Sequence, residues 1–267
     1  MGTRTGRRMA DRPHKPNNIS IMVKILSKKE SRRHEAENGF SGIIGIPVDS
    51  KELEAVWVMP ADATGIVLFA HGSGSSRHSR RNQFVASRLG DAGLGTVLLD
   101  LLSKAEETED RANGRYRFDI QFLTDRLIAA THWIQNHPHA NGCRIGYFGA
   151  STGAAAALTA AAILGEDIGA IVSRGGRPDL AFEHLSKVSA PTLLIVGERD
   201  EAVTELNRDA YAQLVCPRKM AVIPGATHLF EEPGALDKVA NLASRWFEHH
   251  LAPHAEHELV HASPVKA

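Results

Sequence analysis

The chain is short of cysteine, of net charge and of long apolar runs, and each shortage removes a class of function. Two cysteines in 267 residues, Cys143 and Cys216, cannot build a disulfide framework, and their separation suits neither a thiolate metal site nor a redox pair. They are expected to be reduced thiols of a cytoplasmic protein. No apolar run nears the roughly 18–20 residues that cross a bilayer, so no membrane association is expected. Basic and acidic residues balance at 31 each, which leaves no overall field to attract nucleic acid. The first residues carry no apolar segment of signal-peptide type. Their arginines imitate a transit peptide, but Asp11, Pro13 and Pro16 speak against one, and Met9 and Met22 are alternative starts.

What remains is the composition of a globular protein, with 43% hydrophobic and 23% charged residues and length enough for one large domain with its own core. The neutrality conceals an asymmetry. Residues 1–37 hold ten Lys or Arg against four Asp or Glu, so the body of the chain is mildly acidic. Residues 1–39 are expected to form a flexible basic extension, apart from a short apolar stretch at Ile19–Leu26. Residues 40–251 are expected to form the folded domain, and 252–267 a flexible tail.

From Ser41 the pattern becomes regular. Gly42–Val48 and the alternating Leu53–Met59 read as a hairpin. Ile66–Ala70, Thr96–Asp100, Arg144–Phe148, Ala170–Ser173, Thr192–Val196 and Met220–Ile223 are short apolar runs, each predicted to be a strand buried on both faces. Helical stretches separate them, at about Arg80–Ala92, Asp119–Asn136, Thr152–Leu164, Leu180–Leu185, Thr204–Val215 and Gly234–His250. Alternation of this kind predicts an α/β fold with a mostly parallel sheet, an antiparallel N-terminal hairpin and helices on both faces. Sites in such sheets form beyond the carboxyl ends of the strands.

The residues just after the strands carry the chemistry. Arg144–Phe148 runs into Gly149-Ala150-Ser151-Thr152-Gly153 and then an alanine-rich helix, which is G-x-S-x-G in the strand–turn–helix context that exposes a nucleophilic serine. A serine needs a base, and the base an orienting carboxylate, in the chain order serine, acid, histidine. The strand Thr192–Val196 ends in Gly197-Glu198-Arg199-Asp200. Asp200 is the candidate acid, with Glu198 and Glu201 as rivals and a solvated acidic loop as the plain alternative. Met220–Ile223 ends in Pro224-Gly225-Ala226-Thr227-His228, and His228 is the candidate general base. The loop after Ile66–Ala70, His71-Gly72-Ser73-Gly74-Ser75-Ser76, has the glycines that turn backbone amides inward. The amides of Ser73 and Thr152 are the candidate oxyanion donors, with the register of the first loop open by one residue. A phosphate cradle is the competing reading of that loop, but no Walker-type lysine follows it. His71 is read as a hydrogen-bonder at the strand end.

Together these residues resemble the dienelactone hydrolase-like branch of the α/β-hydrolase superfamily, over roughly Ser41 to Leu251. The resemblance implies the roles just given to His71–Ser76, Gly149–Gly153, Gly197–Asp200 and Gly225–His228. The chain departs from the pattern at one point: dienelactone hydrolases proper place a cysteine where Ser151 stands, which favours a general esterase over dienelactone itself. The segments Ala70–Arg77 (AHGSGSSR) and Ser173–Asp179 (SRGGRPD) are similar to a subgroup of that branch. Some of its members are fused to phosphoribosyltransferase-like domains, which this length cannot contain, so the fusion is at most a hint about a partner.

Other features are weaker. Gly74, Arg174 and Arg177 are candidate substrate contacts, the arginines for an anionic group, against the alternative of loop charges paired with Asp179. Arg77, His78, Arg80 and Arg81 add basic character near the first loop, read as the start of a solvated helix face, with attraction of acidic substrates as the alternative. Ser103–Phe118, with four acidic and four basic residues, is expected to be a mobile flap over an open site. His249, His250, His254, His257 and His261 lack tight ligand spacing, and no metal is expected. The expected function is cleavage of a small-molecule carboxylic ester or lactone, without a cofactor. A peptidase or amidase, an acyltransferase, or an idle fold serving as a binding protein are the alternatives. Oligomeric state is not legible.

Overall fold

The computed structural model describes residues 39–140 and 142–252. The expectations for residues 1–38 and for the tail from 253, including His254, His257 and His261, lie outside the described residues. Eight strands form one sheet: β1 (Phe40–Val48), β2 (Lys51–Met59), β3 (Gly65–Ala70), β4 (Gly95–Leu99), β5 (Arg144–Ala150), β6 (Ile168–Arg174), β7 (Thr192–Gly197) and β8 (Arg218–Ile223). Their order is β1-β2-β4-β3-β5-β6-β7-β8. β2 runs antiparallel to both β1 and β4, and every later pairing is parallel. This is the α/β arrangement that the alternation predicts.

The helices are α1 (Arg80–Asp91), α2 (Lys104–Asn113), α3 (Ile120–Gln135), α4 (Thr152–Leu164), α5 (Glu201–Gln213) and α6 (Ala235–Leu251). Strand side chains alternate between two cores. Ile66, Leu68 and Ala70 of β3 join α3 and α4 on one face. Val67 and Phe69 join α1 and α6 on the other. The faces of α6 follow helical spacing, with Val239, Ala243 and Phe247 buried. In α4, Thr152 through Ala161 are all buried, as befits a helix apolar all round, and its alanines let it lie close to the sheet.

Two expectations are corrected. β8 is not buried on both faces: it is the edge strand, half-covered, with Val222 43% exposed. Ser103–Phe118, expected to be a mobile flap, is mostly the capped helix α2. Ser103 and Glu106 form a capping box, whose signature lies in the sequence. Glu106 is buried and accepts from Arg126 Nη2 at 3.0 Å and Lys51 Nζ at 2.8 Å. Burial alone would raise its pKa, but Lys51, the Ser103 groups and Arg126 outweigh that and hold it below the usual value. Asp110, also buried, accepts from the amides of Tyr116 at 2.7 Å and Arg117 at 3.0 Å. These clamps fix α2 to the body where its charge-rich composition suggested mobility. Leu180–Leu185 is helical as expected, but as part of a 3₁₀ stretch, Pro178–Lys187.

Among the described residues, no helix is long and apolar enough to cross a membrane. No group of three or more His, Cys, Asp or Glu among them could hold a metal ion.

Candidate active site

Ser151 stands between β5 and α4 with φ +50° and ψ −121°, a conformation that a non-glycine residue adopts only where its surroundings impose it. The imposing contacts are visible. A side chain on Gly149 would lie 2.4 Å from the Ala154 Cα, and one on Gly153 would lie 2.2 Å from the Ala70 carbonyl oxygen. Both flanks of the turn therefore need glycine. The Ser151 amide donates to Arg174 O at 3.4 Å, and the Ser151 carbonyl accepts from the amides of Ala154 and Arg177, each at 3.1 Å. The turn is held from α4 and from the end of β6, and Ser151 remains partly exposed.

Asp200 and His228 come from separate loops, yet His228 Nδ1 and Asp200 Oδ2 are 2.6 Å apart. Bonds between the loops explain the meeting. Glu198 N donates to Ile223 O at 3.0 Å and Arg199 N to Ala226 O at 2.9 Å. Glu198 Oε2 accepts from Gly225 N at 2.7 Å. Of the three acids considered, Glu198 is thus engaged with the histidine loop's backbone, and Glu201 is an exposed first residue of α5. Asp200 is the N-cap of α5, but its side chain makes no capping bond and faces the imidazole instead.

The histidine loop has its own supports. Glu232 Oε1 accepts from Thr227 N at 3.0 Å. Phe230, at φ +56°, buries its ring in the core under α1 and α6. Gly175 lies beside the imidazole at φ +50°, and a side chain there would sit 3.4 Å from His228 Nδ1 and Cε1. The sequence reading missed Glu198's clamp, Glu232, Phe230 and Gly175. Only the paired glycines after β6 carried a readable sign of close packing. No hydrogen bond joins Ser151 to His228 in this structure, a spacing common in ligand-free sites of this chemistry.

Ser73 and Thr152 line one cavity of about 270 Å³, together with His71, Gly74 and Leu102. Among the described residues, neither the Ser73 nor the Thr152 amide has a protein partner, and Thr152 opens α4, where amides point outward and the helix dipole favours negative charge. Gly74 is exposed, at φ +69°. His71 is buried, accepts at Nε2 from Leu101 N at 3.1 Å, and lies 3.0 Å from Gly72 O at Nδ1. This pairing fixes the proton on Nδ1. Burial pushes its pKa down, so it serves as the strand-end hydrogen-bonder. Glu107, Arg111 and Arg117 of the α2 region line the far wall of the cavity.

The two arginines after β6 separate. Arg177 is bound to Asp179 through Nε at 2.8 Å and Nη2 at 2.7 Å. Arg174 is not a loop charge but the last residue of β6, only 9% exposed.

Parallel strands, flanking helices and a strained serine at the carboxyl end of β5 define an α/β-hydrolase. The structure aligns with Est1E from Butyrivibrio proteoclasticus at a TM-score of 0.67 and 18% identity, over 79% of this chain and 99% of that one, a likeness of fold. The dienelactone hydrolase family model matches residues 53–251, and the chain belongs to the dienelactone hydrolase family. It is 52% identical to a structure of a dienelactone hydrolase from Anabaena variabilis, covering 80% of this chain and 99% of that one at a TM-score of 0.79. It is also 55% identical, over 193 residues, to a Mycobacterium tuberculosis protein named "Putative phosphoribosyl transferase". That match takes in 72% of this chain but 43% of the relative, so the chain spans less than half the length of that relative.

Proposed function

We propose that the chain hydrolyses a carboxylic ester or lactone through Ser151, His228 and Asp200, with an acyl-enzyme intermediate. The observation that carries this reading is the 2.6 Å contact of Asp200 with His228, made by two loops laced together beside a strained serine. With Nδ1 turned to the carboxylate, Nε2 of His228 is left to take the Ser151 proton. Ser151 Oγ attacks the carbonyl carbon, and the amides of Ser73 and Thr152 receive the oxyanion that forms. As the tetrahedral adduct collapses, the bond to the leaving oxygen breaks and His228 returns its proton to the alcohol. Water then repeats the sequence on the acyl-enzyme and releases the acid. Lactone cleavage enters through the name of the Anabaena relative, and the serine in place of cysteine favours ordinary esters. Cys143 and Cys216 are free thiols, in keeping with a reducing, cytoplasmic setting.

The test is hydrolysis of p-nitrophenyl esters from acetate to decanoate by wild type and Ser151→Ala. Turnover that disappears with the serine supports the reading, and the chain-length profile then measures the cavity beside Thr152. Turnover that survives the substitution in clean protein overturns it.

A further inference from the structure

The cavity beside Thr152 has an apolar flank, Leu102 and Leu123, and a charged wall, Glu107, Asp110, Arg111 and Arg117. Three of those charges stand at i, i+3 and i+4 on α2, so one face of that helix makes most of the wall. They are matched in pairs: Asp110 Oδ2 accepts from Arg117 Nε at 2.6 Å, and Glu107 Oε1 from Arg111 Nη2 at 2.8 Å. An acyl chain gains about fourfold in binding for each methylene that it buries against leucine. It gains nothing against ion pairs, which lose water to it and receive no hydrogen bond in return. The depth open to an apolar chain is therefore set by where α2 stands.

Glu106 decides where α2 stands. It is only 3% exposed and is not among the residues that line the cavity. Each of its oxygens accepts twice. Oε1 takes Arg126 Nη2 at 3.0 Å and Lys51 Nζ at 2.8 Å, and Oε2 takes the amide and the hydroxyl of Ser103, each at 2.8 Å. Arg126, on α3, reaches further: its Nη1 donates to Val48 O at 3.3 Å and lies 3.8 Å from Asp49. One carboxylate thus ties the first turn of α2 to α3 and to the turn between β1 and β2. The capping box alone satisfies the start of the helix; what the two cations add is its placement. None of these partners belongs to the loops that carry Ser151, Asp200 and His228. We propose that Glu106 is a positioning residue for acyl-chain specificity: it pins the charged wall of α2 across the cavity, so the site takes short acyl groups and turns away long ones. This rests on the function proposed above, with the acyl group in the cavity beside Thr152.

The experiment has a turnover arm and a binding arm. For p-nitrophenyl esters, kcat/KM of wild type is expected to peak at butyrate or hexanoate and to fall roughly tenfold or more by decanoate, as the chain meets the wall. Glu106→Gln keeps the size of the side chain but offers one oxygen and one amide nitrogen, so either Ser103 or the two cations meet a donor in place of an acceptor. The ratio of decanoate to butyrate is expected to rise in this variant by roughly fivefold or more, mainly through KM, as burial against leucine replaces contact with the wall. Lys51→Met, at a half-exposed position, is expected to shift the ratio in the same direction by less, and it decides the matter if Glu106→Gln does not fold. The binding arm is an NMR titration of the full chain with butanamide and octanamide. Wild type is expected to bind the shorter amide at least as tightly, and Glu106→Gln to reverse the order. A wild-type preference for the longer chain in either arm overturns the proposal. So does a loss of turnover that is uniform over all chain lengths in the folded variants, which is what a merely structural role predicts. Absence of any serine-dependent turnover, with the amide order reversed in Glu106→Gln, refutes the esterase reading and leaves the wall; an unchanged amide order refutes both.

Discussion

Replacing Arg174 by methionine is expected to make the protein more stable. The side chain is 9% exposed, so solvent screens it little. A pKa lowered from the ordinary arginine value to about 10 means that the folded state holds the charged form at a cost of roughly 3 kcal/mol, at about 1.4 kcal/mol per tenfold. The sign follows from the direction: the unfolded chain binds this proton more tightly than the folded one. The penalty is therefore present in full at every pH below about 10 and is relieved only as pH rises from there towards the unfolded value. Methionine removes the charge and keeps most of the stem's apolar contacts, while imperfect repacking takes back part of the gain. A net stabilisation of about 1–3 kcal/mol remains, worth roughly 2–4 °C in Tm per kcal/mol for a domain of this size. Urea unfolding between pH 7 and 9, in a buffer without phosphate or carboxylate, should give the same difference at each pH. A loss of about 3 kcal/mol or more, the behaviour of an arginine taken from a buried ion pair, would refute the reasoning and point to an unseen partner.

Asp200→Asn is expected to lower kcat by about 10³–10⁴ with KM little changed, because the amide stabilises the wrong tautomer of His228 and cannot steady its cation; steady-state kinetics on a p-nitrophenyl ester measures this. His71 has its pKa pushed down by burial from an ordinary 6.5. Its neutral form is kept by the fold, so its contribution is whole above that value and is lost as pH falls below it, where only the unfolded chain takes the proton. The decline in stability of wild type between pH 7 and 5 should accordingly be steeper than that of His71→Asn, as read from urea midpoints. Equal slopes would show that His71 is not held neutral.

The sheet, most helix positions and the three candidate catalytic side chains were legible because each obeys a local rule. Ser151 sits in a motif whose glycines are required by contacts that sequence spacing implies, and Asp200 and His228 end apolar runs. The rest depended on groups brought together over long separations. α2 was read as a flap because its charges looked solvated, yet Glu106 meets Arg126 and Lys51 only in the folded chain. Asp200 was preferred to Glu198 because it leaves the chain room to clear the strand and turn back, but that Glu198 reaches Gly225 N, 27 residues away, shows only in the folded chain. β8 was read as central because apolar content is the same for an edge strand and an inner one over so short a run. Arg174 was counted with the loop because its strand extends past Ser173, and no periodicity reveals that a charged residue continues a buried row.

The central claim is that Ser151 is the residue that forms the acyl-enzyme, and the most direct measurement is covalent labelling with a fluorophosphonate followed by peptide mass spectrometry. The account predicts a single adduct on the peptide carrying Ser151, loss of ester turnover in proportion to labelling, and no adduct in Ser151→Ala. Labelling of another residue with the same loss of turnover, or full turnover after Ser151 is modified, would contradict it.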